Sequence, residues 1–410
     1  MDLTINRINL DIRMAKYDNE NKVLRRIAKE ALDFLLKNVD VNKIKGILLT
    51  GSVANSEGTV IKHISSIVTS DFDFVVYLDF PYYLKNRNHF QHLSQQMSTR
   101  LINRKVNTHV VFLPSTKILQ AGIRFTNSNI YKYEFAIASK CVFGKAPSFN
   151  KTARPTKKDS LELTFTVVSD LIFSNLKNLS KVEETYIYAK RALTLLNAIL
   201  IFHGFFAETY KKRIKIAKKY ASMVTIPISQ DEMKTLEIFT EYKLSGSLHG
   251  LLDSLSCSNI HDLIQFQKEF LTNLTTKILY YELNNLFVKE KQVKTRCNGH
   301  SQNAKFHKLL KEYSKHSTTQ RLSRILGIAL YAVWSFTNNK RRKELFATFV
   351  FHKQPPKALL NVLITLLLIY NGNTPARKFL DEFFPWMNSD IEPLQRTFSL
   401  WQTAEQSIKL

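Results

Sequence analysis

The chain has 410 residues, 44% hydrophobic and 23% charged, which is enough for two or three domains and excludes a collagenous, low-complexity or mainly disordered protein. Lys and Arg number 59 against 34 Asp and Glu, a formal charge of +25 that favours nucleic acid, nucleotide phosphates or an anionic membrane surface as partner. Cys141, Cys257 and Cys297 lie far apart without CxxC spacing, so neither a disulfide framework nor a cysteine zinc site is indicated and a reducing, cytoplasmic setting is expected.

In chain order, residues 1–22 alternate polar and apolar types with no continuous apolar core, so no secretory signal is expected. Residues 21–37 set Val23, Ile27, Leu32, Leu35 and Leu36 near helical spacing, which predicts an amphipathic helix. Three short runs rich in β-branched and aromatic residues, at 45–50 (KGILLT), 72–78 (FDFVVYL) and 106–113 (VNTHVVFL), predict strands, with a helix over about 86–103. The proline-containing stretch KAPSFNKTARPTKK then predicts a domain boundary. The expected organisation is α+β: a mixed sheet with helices over 1–150, a helical domain over 151–290 and a basic helical domain over 291–410. The apolar runs at 193–206, 325–336 and 358–370 are interrupted by Asn197, His203 and Asn361 or are too short for a span, which needs roughly 18 residues. They predict buried helices and no membrane span.

The first zone holds the one sharp constellation: the strand LLT followed by Gly51-Ser52, then, after eighteen intervening residues, Asp71-Phe72-Asp73 opening a second strand. Side chains alternate along a strand, so Asp71 and Asp73 share a face while Phe72 and Phe74 point into a core. Like charges about 4 Å apart repel by about 4 kcal/mol at an effective dielectric of 20, a cost that a divalent cation between them removes. Mg²⁺ suits such a pair, because it takes carboxylate oxygens and completes its shell with waters and phosphates. Gly51-Ser52 permits a tight turn whose N–H groups and hydroxyl can face a phosphate. A lone Asp-x-Asp is ordinarily a solvated face; joined to Gly-Ser it is a more specific signal.

At these residues the chain resembles the polymerase-β nucleotidyltransferase superfamily, whose signature is a strand, Gly-Ser and a second strand bearing Asp-x-Asp. The resemblance covers roughly residues 20 to 150, with GSVANSEGT and SDFDFVVYLD typical of stand-alone prokaryotic members. It implies a nucleotidyltransferase-fold sheet in which Asp71 and Asp73 hold two Mg²⁺ ions while Gly51 and Ser52 hold the triphosphate of a nucleotide, ATP among the candidates. An acceptor hydroxyl would then attack the α-phosphate and displace pyrophosphate. Two departures stand out. The eighteen residues before Asp71 exceed the usual spacing, so 57–69 is an insertion or an extra hairpin. The third carboxylate that the superfamily takes from a later strand is replaced in VNTHVVF by His109, either a catalytic ligand or proton acceptor or a satisfied strand histidine. Glu134 is an acidic substitute if the fold brings it near. The helix ETYIYAKRALTLLNAIL is similar to one that follows the catalytic domain in these enzymes, and the likeness assigns Lys190 or Arg191 to the β and γ phosphates.

Lys211, Lys212, Arg213, Lys215, Lys218 and Lys219 put six cations within nine residues without an acid. Such a run is a solvated face or a nucleic-acid contact, with Lys211, Lys212, Arg213 and Lys215 the candidate contacts. The stretches 289–324 and 340–343 are weighed the same way. Motifs for other chemistries (GxxxxGK[ST], HExxH, GxSxG, GxGxxG) are absent from the sequence. A basic protein suits RNA or a nucleotide as acceptor far better than a polycationic aminoglycoside. The rival expectation is a degenerate transferase domain that binds nucleotide or RNA without chemistry.

Overall fold

The helix that opens the first unit, α1 (Asp18–Asn38), buries Leu24, Ile27, Ala28, Ala31, Leu32 and Leu35, the residues that its periodicity puts on one side. Asp18 and Glu20 in its first turn and Lys37 in its last suit the two ends of the helix dipole. The computed structural model describes residues 9–63, 66–102, 108–114, 129–145, 154–173, 179–221 and 227–287. After α1 come β1 (Ile44–Thr50), the single turn α2 (Gly51–Ala54), β2 (Val60–His63), β3 (Ser66–Thr69), β4 (Phe72–Leu78), α3 (Phe80–Lys85), α4 (Arg87–Ile102), β5 (Thr108–Pro114), α5 (Asn129–Ala138) and β6 (Lys140–Gly144). Between Ser52 and Asp71 the extra residues form the antiparallel β2–β3 hairpin, so of the two expectations the hairpin is the one realised.

The sheet is mixed, with order β5-β4-β1-β6: β1 runs antiparallel to β4 and β6, and β4 runs parallel to β5. A parallel step needs a crossover, which α3 and α4 supply. Period-two alternation decides the faces. Phe72, Phe74, Val76 and Leu78 join Ile47 and Leu49 of β1, the buried side of α1, and Phe90, Leu93 and Met97 of α4 in the main core. Leu48, Val75 and Tyr77 form a smaller buried cluster among the residues of opposite parity.

The helical part comprises α6 (Lys157–Phe173), α7 (Lys181–Phe202), α8 (Tyr210–Ala221), α9 (Gln230–Ser245), α10 (Leu248–Ser254) and α11 (Ile260–Phe287). Capping boxes start α7 (Ser180 with Glu183) and α9 (Ser229 with Glu232), each satisfying N–H groups that the first turn leaves over. At the far end of α9, Gly246 adopts φ 67°, and a Cβ there would stand 2.3 Å from the Val60 carbonyl oxygen. Only glycine lets the end of α9 lie this close to β2.

Residues 1–160 and 179–271 make one compact unit, and 161–178 with 272–410 make another. The described parts of the second unit, 161–173 and 272–287, are helical, with Leu161, Phe165, Val167, Val168, Leu274, Ile278 and Leu279 buried. The described residues are therefore α+β, a small mixed sheet with mostly helices. Among the described residues no helix is long and apolar enough to cross a membrane. The apolar run at 193–206 falls largely in α7, which is buried continuously from Leu195 to Phe202. The runs at 325–336 and 358–370, the basic stretches 289–324 and 340–343, and Cys297 lie outside the described residues.

Candidate functional site

Thr50 ends β1 opposite Asp73 on β4, and Thr50 Oγ1 donates to the Asp73 carbonyl oxygen at 3.4 Å. The chain turns at once into α2, with Gly51 in the left-handed region at φ 75°. A Cβ on residue 51 would stand 3.0 Å from Asp73 Oδ2 and press on that carboxylate, while the left-handed backbone angle itself favours glycine. Ser52 follows, partly exposed, in the single turn. The Gly-Ser bend and the Asp73 carboxylate are thus in contact range, as the strand register dictates.

Asp71 immediately precedes β4 and, like Asp73, is partly exposed while Phe72 and Phe74 on either side of Asp73 are buried. Lys190, from the middle of α7, donates through Nζ to Asp71 Oδ2, with 29% of the lysine side chain and 24% of the aspartate exposed. Burial alone would lower the lysine; the Asp71 carboxylate, with Tyr186 and Tyr210, more than offsets it and holds Lys190 well above the ordinary lysine range. Lys190 is therefore a permanent cation against Asp71. Lys190, one of the two basic residues of α7 singled out in the sequence, thus reaches this carboxylate.

His109 is the register partner of Asp73 on β5. Glu134 lies on α5, which packs against α2 and β1, and reaches Arg213 at 3.6 Å. Burial pushes the Glu134 carboxyl above the ordinary glutamate range; Arg213 works against that and the charge of Asp73 adds to it. The acidic substitute considered in the sequence is thus close enough to Asp73 to be influenced by it. Among the described residues no group of three or more His, Cys, Asp or Glu is arranged to hold a metal ion.

Buried polar residues around Ser70, Lys243 and Glu57 support this end of the sheet. Ser70, fully buried and adjacent to Asp71, accepts from the Thr59 amide at 2.8 Å and from Lys243 Nζ at 2.8 Å, and contacts the Tyr186 hydroxyl at 3.2 Å. Lys243, fully buried on α9, also donates to Thr59 Oγ1 at 2.6 Å, while that hydroxyl donates to the Lys243 carbonyl. Its Nζ lies 5.0 Å from the Tyr186 ring centroid and 5.6 Å from that of Tyr210. Burial would raise the Tyr186 phenol, but Lys243 and Lys190 outweigh it and bring it below the usual tyrosine value. Glu57, in the segment after α2, accepts from the Tyr210 amide at 2.8 Å and the Lys211 amide at 3.4 Å, and so caps α8. Its burial raises the carboxyl despite those two N–H groups, Arg213 and Lys243.

The basic run occupies α8. Lys211, Lys212 and Lys215 are exposed, whereas Arg213 is buried and donates to the Ala207 carbonyl at 2.9 Å. Gly51, Ser52, Asp71, Asp73 and Lys190 therefore converge on one end of the sheet, and the start of α8 is capped by Glu57, five residues after Ser52. No protein-family model, no curated protein and no solved structure matches the chain.

Proposed function

We propose that the chain is a metal-dependent nucleotidyltransferase of the polymerase-β type, moving a nucleoside monophosphate from a nucleoside triphosphate to an anionic acceptor, RNA or a nucleotide, with release of pyrophosphate. The observation that carries this reading is the convergence of the glycine bend at Gly51, the carboxylates of Asp71 and Asp73, and the cation of Lys190. Two partly exposed carboxylates fit Mg²⁺ held jointly with substrate phosphates, the way this ion is usually bound, and do not fit an all-protein metal cage. Asp71 and Asp73 would hold it, and when bound it would supply charge stabilisation for in-line displacement at the α-phosphate. The remaining work falls to the chain itself. The Gly51-Ser52 turn offers its N–H groups and hydroxyl to phosphate oxygens. Lys190, charged across the neutral range, moves between Asp71 and the β and γ phosphates. The proton of the acceptor hydroxyl goes to His109, the partner position of Asp73, or to Glu134, whose carboxyl burial raises above the ordinary glutamate range.

Incubation of the protein with each labelled nucleoside triphosphate, Mg²⁺ and cellular RNA tests the proposal. Pyrophosphate release by the parent chain that is lost in folded Asp71→Asn and Asp73→Asn supports it; no release with any nucleotide, or release untouched by both substitutions, refutes it. One observation favours a second reading, a degenerate domain that binds without chemistry: the described residues contain no three-acid metal group, and the third-acid position is His109. RNA or nucleotide affinity that persists without turnover marks that alternative.

A further inference from the structure

We propose that α8 is a track for a single-stranded nucleic acid, with Lys211, Lys215 and Lys219 engaging the backbone phosphates and the Phe205–Tyr220 ring pair receiving a base. The inference rests on the transferase reading only where it names the bound strand as the acceptor. A spacing of four residues picks out three of the six cations of the run. Arg213 is turned inward to Glu134 at 3.6 Å, Lys212 is held by Glu208 at 2.9 Å, and Lys218 by Glu237 at 2.5 Å. Lys211, Lys215 and Lys219 are all exposed and four residues apart, so they lie nearly along one line with a rise of about 6 Å per step. The line starts where Glu57 caps the helix, beside the segment that follows Ser52, and runs away from it.

A second observation points to exposed bases and not to a duplex. At the far end of α8, Phe205 and Tyr220 stack with centroids 4.1 Å apart, both rings part-exposed, and Lys219 Nζ lies 5.6 Å from the Tyr220 ring. A row of cations ending on an aromatic platform is the arrangement that holds single strands, whose bases offer open π-faces; a duplex keeps them stacked inside.

Anisotropy titrations of the full chain with a short labelled single-stranded RNA, and with the same sequence as a duplex, over a salt series test the track. The triple variant Lys211→Gln, Lys215→Gln, Lys219→Gln is expected to reduce the slope of log affinity against log salt by about 2, from about 0.7 per single-strand phosphate contact. The α1 control Lys22→Gln, Arg26→Gln, Lys29→Gln, three exposed cations elsewhere, leaves the slope unchanged. Tyr220→Leu weakens single-strand binding by about 5- to 150-fold and leaves duplex binding alone. An unchanged slope in the triple variant, or a duplex bound as tightly as the single strand, overturns the track. The two proposals separate cleanly: strand binding that behaves as expected without pyrophosphate release retains the track and removes the transferase, whereas pyrophosphate release with an unchanged slope does the reverse.

Discussion

Replacing Lys190 by Met removes the cation from Asp71 while keeping the length and apolar stem of the side chain. Opposite unit charges about 4 Å apart attract by about 4 kcal/mol at an effective dielectric of 20. With 29% of Lys190 and 24% of Asp71 exposed, water screening and the ordering of two side chains reduce the net coupling to about 1–2 kcal/mol. The assay is a double-mutant cycle of Lys190→Met and Asp71→Asn followed by urea unfolding. Lys190→Met alone removes this cation from the Asp71 carboxylate and lowers stability; Asp71→Asn in the same background restores part of it. The sign of the pH dependence is fixed by the lysine. Its folded value lies above the ordinary 10.5, so the contribution is fully present below 10.5 and is lost only as pH rises through the folded value. The coupling is therefore flat across the neutral range and disappears in strong alkali. Strictly additive effects, within about 0.3 kcal/mol, would refute the claim that Lys190 answers to Asp71.

Gly51→Ala forces a Cβ into a left-handed position 3.0 Å from Asp73 Oδ2, and is expected to cost about 1–2 kcal/mol in urea unfolding and to weaken triphosphate binding more than Ser52→Ala does. Because burial raises the Glu134 carboxyl, its folded state holds the proton more tightly than the unfolded chain; the associated stability is present below 4.5 and is lost as pH rises through the folded value. Glu134→Gln should therefore gain on the parent protein as pH rises above 4.5, measured by urea midpoints, and a constant difference would contradict the burial argument. Lys243→Met deprives the Ser70 and Thr59 hydroxyls of a buried donor and is expected to cost about 1–3 kcal/mol in the same assay; a more stable variant would mean that enclosing this lysine costs more than its hydrogen bonds return.

The sheet and the two aspartates were legible because strand alternation is a strong signal: Phe72 and Phe74 can enter the core only if Asp71 and Asp73 face away from it. The β2–β3 hairpin was legible only as one of two alternatives, since IKHISSIVT has strand character but nothing in the sequence fixes its pairing. Arg213 illustrates a different limit. Within a run of cations, period alone does not say which side of the helix packs; burial of Arg213 together with Ala217 sets that phase, and it places Lys211 and Lys215 outside. Lys243 was invisible for a similar reason, because a lysine among the polar residues of EYKLSGS reads as a surface group. Its burial follows from Gly246, whose missing side chain lets α9 close against the Val60 carbonyl. Glu57 lies in GSVANSEGT, yet its role in capping α8 depends on a helix that starts 153 residues later.

Calorimetric titration of the intact chain with nucleoside triphosphate, with and without Mg²⁺ and in folded Asp73→Asn, addresses the proposed site most directly. Binding is expected to require the metal and to weaken at least about tenfold, about 1.4 kcal/mol, in the variant. Equal binding without Mg²⁺ and in Asp73→Asn, or binding of no triphosphate at all, would contradict it.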